Sequence, residues 1–452
     1  MKYACAFLLL ICLHALSAAQ NWPSFRGSNA SGVADGSNPP TAWDGEKSVN
    51  VLWKTSIPGV GYSSPIVWGN RVFITTAIST DSKTVFVNGP TQTAQTSDDT
   101  SQQIWRVYCV DKNTGRIIWE KDAYVGTPKV KRHVKGSHAN SSPATDGQYL
   151  VTFFGSEGLY CYDLEGKLVW KQNLGTLVGG WTSDPTAQWG FASSPIIYRN
   201  LVIVQCDSQK DSFIAAFNLK DGKQVWKTPR DEDTSWSSPV IYEGAARAEL
   251  IASGTRYYRG YDPLTGKELW RLADGADVKI PTPVAAQGLF FLGGGSTHVR
   301  RVFYAVRAGA SGDITPSAGQ LSTAHIAWQN PVKPHIVTPI AYGSHVYVCT
   351  DNGVLSVYDI KTGDEVYRAR LGSGGAFSAS PVAADGKLYF INEEGEVYVI
   401  KAGPQYELQS KNPMGEVVMA TPAITHRMLI VRTQRHLFGI GERVDAKPQV
   451  KR

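Results

Sequence analysis

Residues 107–121 read VYCVDKNTGRIIWEK: a strand, an Asp-x-x-Thr-Gly turn, and a second strand bearing Trp119. Nearly the same phrase returns as LYCYDLEGKLVWKQ (159–172), IAAFNLKDGKQVWKT (214–228), YRGYDPLTGKELWRL (258–272) and LSVYDIKTGDEVYRA (355–369). Each copy is a β-hairpin with a local cause. The Asp side chain (Asp111, Asp262, Asp359) accepts backbone N–H groups two residues on, and the Gly (Gly115, Gly266, Gly363) supplies the positive φ that the turn requires. Repetition of one hairpin means repetition of one supersecondary unit, and that overrides any domain count taken from the length of 452 residues.

A second signal recurs between the hairpins. A Ser/Thr-Pro pair stands at Ser64-Pro65, Ser142-Pro143, Ser194-Pro195, Ser238-Pro239, Thr282-Pro283, Thr338-Pro339, Ser380-Pro381 and Thr421-Pro422, with steps of 78, 52, 44, 44, 56, 42 and 41 residues. Units of roughly 40–45 residues holding four short strands are propeller blades. Proline suits the first position of a strand, where its missing N–H joins no ladder. The fold expected is therefore all-β: an eight-bladed β-propeller of four-stranded antiparallel blades. After Pro422 the last unit stops without a Trp strand, whereas NVLWKTSIP (50–58) has the Trp strand and nothing before it. The N-terminal strand should close the last blade and leave no open gap in the ring.

The same slot of the outermost strand holds Trp53, Trp119, Trp170, Trp226, Trp270 and Trp328, with Tyr367 substituting once. A large ring at a fixed place in each blade buries on the order of 200 Å² against its neighbour, so these tryptophans are expected to dock blade to blade.

The ends differ in kind. Residues 1–19 carry Lys2, an apolar run and small residues up to Ala19, the pattern of a cleaved secretory signal too short to span a bilayer. A leader (20–49), the propeller (50–440) and a disordered basic tail (441–452) follow, and the mature protein is expected in the periplasm or secreted. Past the signal, four cysteines remain (Cys109, Cys161, Cys206, Cys349). An even count in an exported chain allows disulfides. However, Cys109 and Cys161 share one repeat position with Ala216 and Gly260, which favours packed thiols. Neither a zinc spacing nor a phosphate-binding glycine loop is present. The formal charge of +6 is mild for this length, and only KVKRHVKGSH (129–138) approaches a basic stripe, so nucleic acid is not an expected partner.

The phrase Ala-x-Asp-x-x-Thr-Gly-x-x-x-Trp resembles the docking motif of pyrroloquinoline quinone (PQQ) repeat proteins over nearly all of residues 51–440. Two branches of that superfamily are relevant: the quinoprotein alcohol dehydrogenases, with PQQ and calcium, and the outer-membrane assembly factor BamB, with similar blades and no cofactor. The opening NWPSFRGSNASGVADGSNPPTAW (21–43) is similar to leaders of exported PQQ-like propellers in planctomycete-type bacteria. The chain departs from the dehydrogenase pattern. It lacks an adjacent Cys-Cys pair, a matching calcium set and a haem-attachment Cys-x-x-Cys-His.

Topology puts the Thr-Gly turns on one face and the long loops on the other, where binding usually resides. On that loop-rich face the sequence places Lys135, His138, Trp181, Trp189, Arg230, Trp236, Lys279 and His335. Cations beside exposed aromatics suit an anionic or sugar-like ligand. The Ser/Thr of each Pro pair should ring the channel mouth, either ordering a polar ligand or capping strand starts. Acid/base chemistry would need converging carboxylates, for which Asp231, Glu232, Asp233, Glu393 and Glu394 are the candidates. The function expected is a ligand- or protein-binding scaffold: a monomer, not membrane-spanning, without catalytic residues, cofactor or metal. A PQQ-dependent alcohol or sugar dehydrogenase and a BamB-like assembly factor are the alternatives.

Overall fold

The computed structural model describes residues 21–81, 95–181, 183–275, 278–295, 302–332 and 334–442. The expected signal, part of the insertion between 79 and 103, and most of the basic tail lie outside them.

Eight antiparallel sheets form the blades of one propeller. Blade 1 runs Ile66–Trp68, Arg71–Ser79, Gln103–Asp111 and Ile117–Gly126 from its inner to its outer strand. The last blade consists of Ala423–Thr425, Met428–Arg432 and His436–Ile440, completed by Val51–Ser56 from the front of the chain. Trp53 faces Gly439 and Ser56 faces His436 across that closing ladder. Blade 4 departs from four strands. Gly312–Asp313 adds a fifth strand, parallel to its outer strand Glu268–Ala273.

The apolar core is a ring of layers between blades. Among the described residues, one buried cluster joins Phe73 and Trp105 of blade 1 to Leu150 and Tyr160 of blade 2, and another joins Val151 and Phe153 of blade 2 to Val202 and Val204 of blade 3. The closing junction is a single cluster containing Val72, Val382, Ile430 and Trp53 from blades 1, 7 and 8. Each sheet buries both faces, and for that reason the inner three strands read as near-continuous apolar runs.

The Trp slot has a consistent geometry. Trp53 Nε1 donates to the Lys112 carbonyl of the next blade's turn at 2.7 Å, Trp119 to Leu164 at 2.9 Å, Trp170 to Leu219 at 2.8 Å, Trp226 to Pro263 at 3.2 Å and Trp328 to Ile360 at 3.2 Å. Trp270 differs. Its Nε1 donates to Glu249 of its own blade at 2.7 Å, because blade 5 replaces the short turn with the long segment 308–325; the ring still stacks on Phe290 of blade 5. The turn glycine is required twice over. Gly266 has φ +71°, and a Cβ there would lie 2.4 Å from the Trp226 ring.

The leader is built into the ring. Trp22 exchanges two backbone hydrogen bonds with Val67 on the inner strand of blade 1, and Gly32 and Ala34 bracket Ala383 on the inner strand of blade 7. Between them Arg26, Gly27, Asn29 and Ala30 all adopt positive φ, a coil that only Gly takes without strain. That coil buries the Arg26 side chain completely, and its guanidinium donates to the carbonyls of Ala30 (3.1 Å), Pro339 (2.9 Å) and Pro381 (3.1 Å). Trp43 packs into the junction of blades 7 and 8 against Tyr389 and Met414. The four cysteines are buried and unbonded, and burial pushes the Cys109 and Cys161 thiols up to about 12.

Candidate functional site: the loop-rich face

Three segments of the loop-rich face are knitted together. Segment 95–101 meets 129–138 through Ser97 N to Arg132 O (2.7 Å) and Val134 N to Gln95 O (3.1 Å); the 178–191 excursion joins them through Lys131 N to Gln188 Oε1 (2.9 Å) and Gln188 N to Thr96 Oγ1 (2.9 Å). Backbone groups in long loops need partners once water is displaced, and here neighbouring loops supply them. Loop 129–138 then projects Lys135 past blade 8 to the tight turn of blade 7. Its Nζ lies 2.7 and 2.6 Å from the two carboxylate oxygens of Glu393, which also accepts from Ser378 Oγ at 2.6 Å. The Glu393 side chain is fully buried and that of Lys135 is 5% exposed.

The other expected cations are likewise engaged. Arg230 grips Asp207 with two bonds, at 2.7 and 3.1 Å, and donates to Tyr261 Oη at 2.7 Å. Lys279 pairs with Asp274 and donates to Tyr258 Oη at 2.6 Å. His335 Nδ1 sits 2.6 Å from Asp351. His138 lies apart, beside the Trp105 ring, in a cavity of about 10 Å³ lined also by Glu157, Asn140 and Phe191, the scale of one water. Burial, helped by the charge of Arg132, lowers the His138 imidazole to about 4, and its Nε2 has no hydrogen-bond partner. The acidic run is also taken up: Asp231 and Glu232 both pair with Arg259.

The eight residues therefore do not converge. What the fold does gather is the aromatic subset. The hairpin Gly180–Trp181 with Asp184–Gln188 holds Trp181 parallel to Trp189 at 6.2 Å; Trp189 lies 5.4 Å from Trp236, whose Nε1 donates to Gly190 O at 2.9 Å, and His133 stands edge-on to Trp189 at 5.8 Å. Trp181 and Trp189 remain partly exposed.

The hydroxyl ring is real and structural. Ser64 N donates to Ser142 Oγ (2.8 Å), Ser142 N to Ser194 Oγ (3.0 Å), Ser194 N to Ser238 Oγ (2.8 Å), Thr282 N to Thr338 Oγ1 (3.1 Å), Thr338 N to Ser380 Oγ (3.2 Å), Ser380 N to Thr421 Oγ1 (3.0 Å) and Thr421 N back to Ser64 Oγ (3.1 Å). Seven of the eight inner strand starts are thus capped by the hydroxyl of the following blade, the step from Ser238 to Thr282 being the exception among these bonds. These side chains serve the ring and are almost fully buried.

The sequence offers Glu393 as a carboxylate but not its partner, because nothing local announces a lysine 258 positions away, and it does not single out Asp207, Asp274 or Asp351, which lie 23, 5 and 16 positions from theirs. Among the described residues, no group of three or more His, Cys, Asp or Glu is placed to hold a metal.

Comparison with known proteins agrees with this architecture. The family model described as outer membrane protein assembly factor BamB matches residues 103–273 and 259–405, together more than half of the chain. BamB from Burkholderia pseudomallei is 32% identical over 97 residues, 21% of this chain and 24% of that protein, and BamB from Taylorella asinigenitalis is 31% identical over 96 residues, 21% of this chain and 25% of that one. The aligned region thus spans about a quarter of those relatives. Among solved structures, quinohemoprotein alcohol dehydrogenase from Comamonas testosteroni superposes with a TM-score of 0.62 at 12% identity (95% of this chain, 82% of that one). BamB from Moraxella catarrhalis superposes with 0.53 at 13% identity (80% and 98%). Likenesses this distant carry the fold alone. With repeats, ring closure and the family match in agreement, the chain belongs to the BamB-like family of PQQ-repeat β-propellers.

Proposed function

We propose that this protein is an exported scaffold that binds another protein on its loop-rich face, through the partly exposed Trp181 and Trp189, and works without a cofactor of its own. One observation carries the reading. Lys135, Arg230 and Lys279 each pair with a carboxylate of the same chain, and the His335 ring is hydrogen-bonded to Asp351. Cations neutralised in place do not recruit an anionic substrate, and the carboxylates they hold are not free to ligate calcium. Rigid aromatic rings standing on a braced hairpin are, by contrast, what protein interfaces use as anchors. The match to an outer membrane protein assembly factor supports a role in that kind of assembly, and the pattern of residues 1–19 supports export.

The test is a photo-crosslinking residue in place of exposed Ser183, introduced in the organism of origin. The expected product is a crosslink to an outer-membrane assembly protein, lost when Trp181 and Trp189 are both replaced by Ser. Dye reduction with an alcohol or sugar after addition of PQQ and calcium would overturn the reading in favour of a dehydrogenase.

A further inference from the structure

The outer edges of the blades point to a second interaction surface. A propeller leaves one unpaired outer strand edge per blade, and the chain covers some of these itself. On blade 4 the segment 312–315 lies parallel to the outer strand: Trp270 pairs with Gly312, Arg271 with Asp313, and Ile314 N donates to Arg271 O at 2.9 Å. Ile314 is buried there, and Thr315 Oγ1 accepts the Ala273 amide at 2.9 Å. Blade 7 takes backbone and side-chain bonds from residues 41–45 of the leader.

Blades 1, 2 and 3 present their outer strands differently. Ile117, Ile118 and Val125 of blade 1, Leu168 and Val169 of blade 2, and Val225 of blade 3 are all exposed, six of the ten exposed large hydrophobics among the described residues. They lie on three consecutive outer strands, so the exposed large apolar side chains are concentrated on this side of the ring, where a partner would cover them. The position that holds Arg271 in blade 4, directly after the Trp, holds Lys171 in blade 2 and Lys227 in blade 3, both exposed. Basic residues repeated on the open edges oppose pairing with a second copy of this chain and favour an acid in the incoming strand.

We infer that the outer strands Leu168–Gln172 and Gln224–Pro229 accept an extended segment of a partner protein as a fifth strand, in the manner of 312–315 on blade 4. The partner chemistry is an alternation of acidic and β-branched residues. Backbone bonds supply the affinity, and Lys171 or Lys227 selects the acid. This surface is separate from the tryptophan platform, so it stands or falls independently of it.

The probe is a fluorescein-labelled peptide, Gly-Asp-Ile-Thr-Val-Asp-Val-Thr, titrated by anisotropy into the full-length protein, with hydrogen exchange read on the complex. Saturable binding below about 1 mM is expected, weakening with salt, with protection confined to 167–172 and 223–229. The K171E/K227E variant should bind at least tenfold more weakly, while K227M, which also takes the ammonium off the Phe213 ring, serves as the control for any change in melting temperature. A peptide with proline at alternate positions, unable to extend a ladder, should not bind. Equal binding by the charge-reversed variant, protection on the loop-rich face instead, or no saturation would overturn the proposal. A dimer in sedimentation without peptide would also do so, by assigning the edges to a second copy.

Discussion

Replacing Gly266 by Ala separates two reasons for a turn glycine. Gly266 and Gly343 both have positive φ, +71° and +62°, so Ala at either pays a left-handed backbone cost of about 1–2 kcal/mol. At Gly343 nothing lies within 4 Å of the added Cβ. At Gly266 the Cβ would meet Trp226 at 2.4 Å and Thr228 Oγ1 at 2.7 Å, contacts no real Cβ makes. The ring must move, straining its bond to Pro263 O and the layer between blades 3 and 4, and overpacking of this kind costs about 1–3 kcal/mol. Gly266→Ala should therefore lose about 2–5 kcal/mol and Gly343→Ala about 1–2 kcal/mol, measured as unfolding midpoints in guanidinium with tryptophan fluorescence as the readout. The same destabilisation in both variants would mean that the ring does not rest on the turn, and the account of blade docking would fail.

Other expectations follow from buried charge and from closure. Lys135→Met strands a fully buried Glu393 carboxylate and should cost about 3–5 kcal/mol, whereas the double variant with Glu393→Leu should recover most of it; a double-mutant cycle in thermal unfolding checks this. Because the folded imidazole of His138 titrates near 4 and the unfolded one near 6.5, the unfolded chain binds more protons between those values. Stability should be full above pH 6.5 and fall by about 3 kcal/mol as pH drops to 4, and His138→Asn should flatten that slope in melting curves. Arg26→Ala removes two bonds that tie the leader to blades 6 and 7 and one that holds the leader's own coil, and should cost about 3 kcal/mol, seen as faster limited proteolysis within residues 21–49. Deleting residues 50–58 opens the ring at blade 8 and should lower the melting temperature sharply; an unchanged melting temperature would contradict the closure.

Some features were legible from local sequence because local chemistry causes them. Asp111 Oδ1 does accept the amides of Asn113 and Thr114, at 3.0 and 2.8 Å, and Gly115 does take φ +72°. Those interactions span four residues and repeat, so period and phase give blade number, strand order and the closing strand. The site was legible only in part. Trp181, Trp189 and Trp236 meet as residues of one face should, but Lys135 is drawn to Glu393 on blade 7, and Arg230, Lys279 and His335 are taken up by Asp207, Asp274 and Asp351 nearer to them in sequence.

The sequence by itself determined the propeller, its eight units and its seam, since each follows from turn chemistry and strand alternation repeated in register. Only the tertiary structure decided that Lys135 belongs to Glu393, that Arg26 and the leader line the ring, and that blade 4 carries a fifth strand. The physical reason is range. Hairpins are specified by neighbours along the chain, whereas the buried Lys135 takes an acid 258 positions away that only the closed ring brings within reach, and that choice is written nowhere in the local sequence.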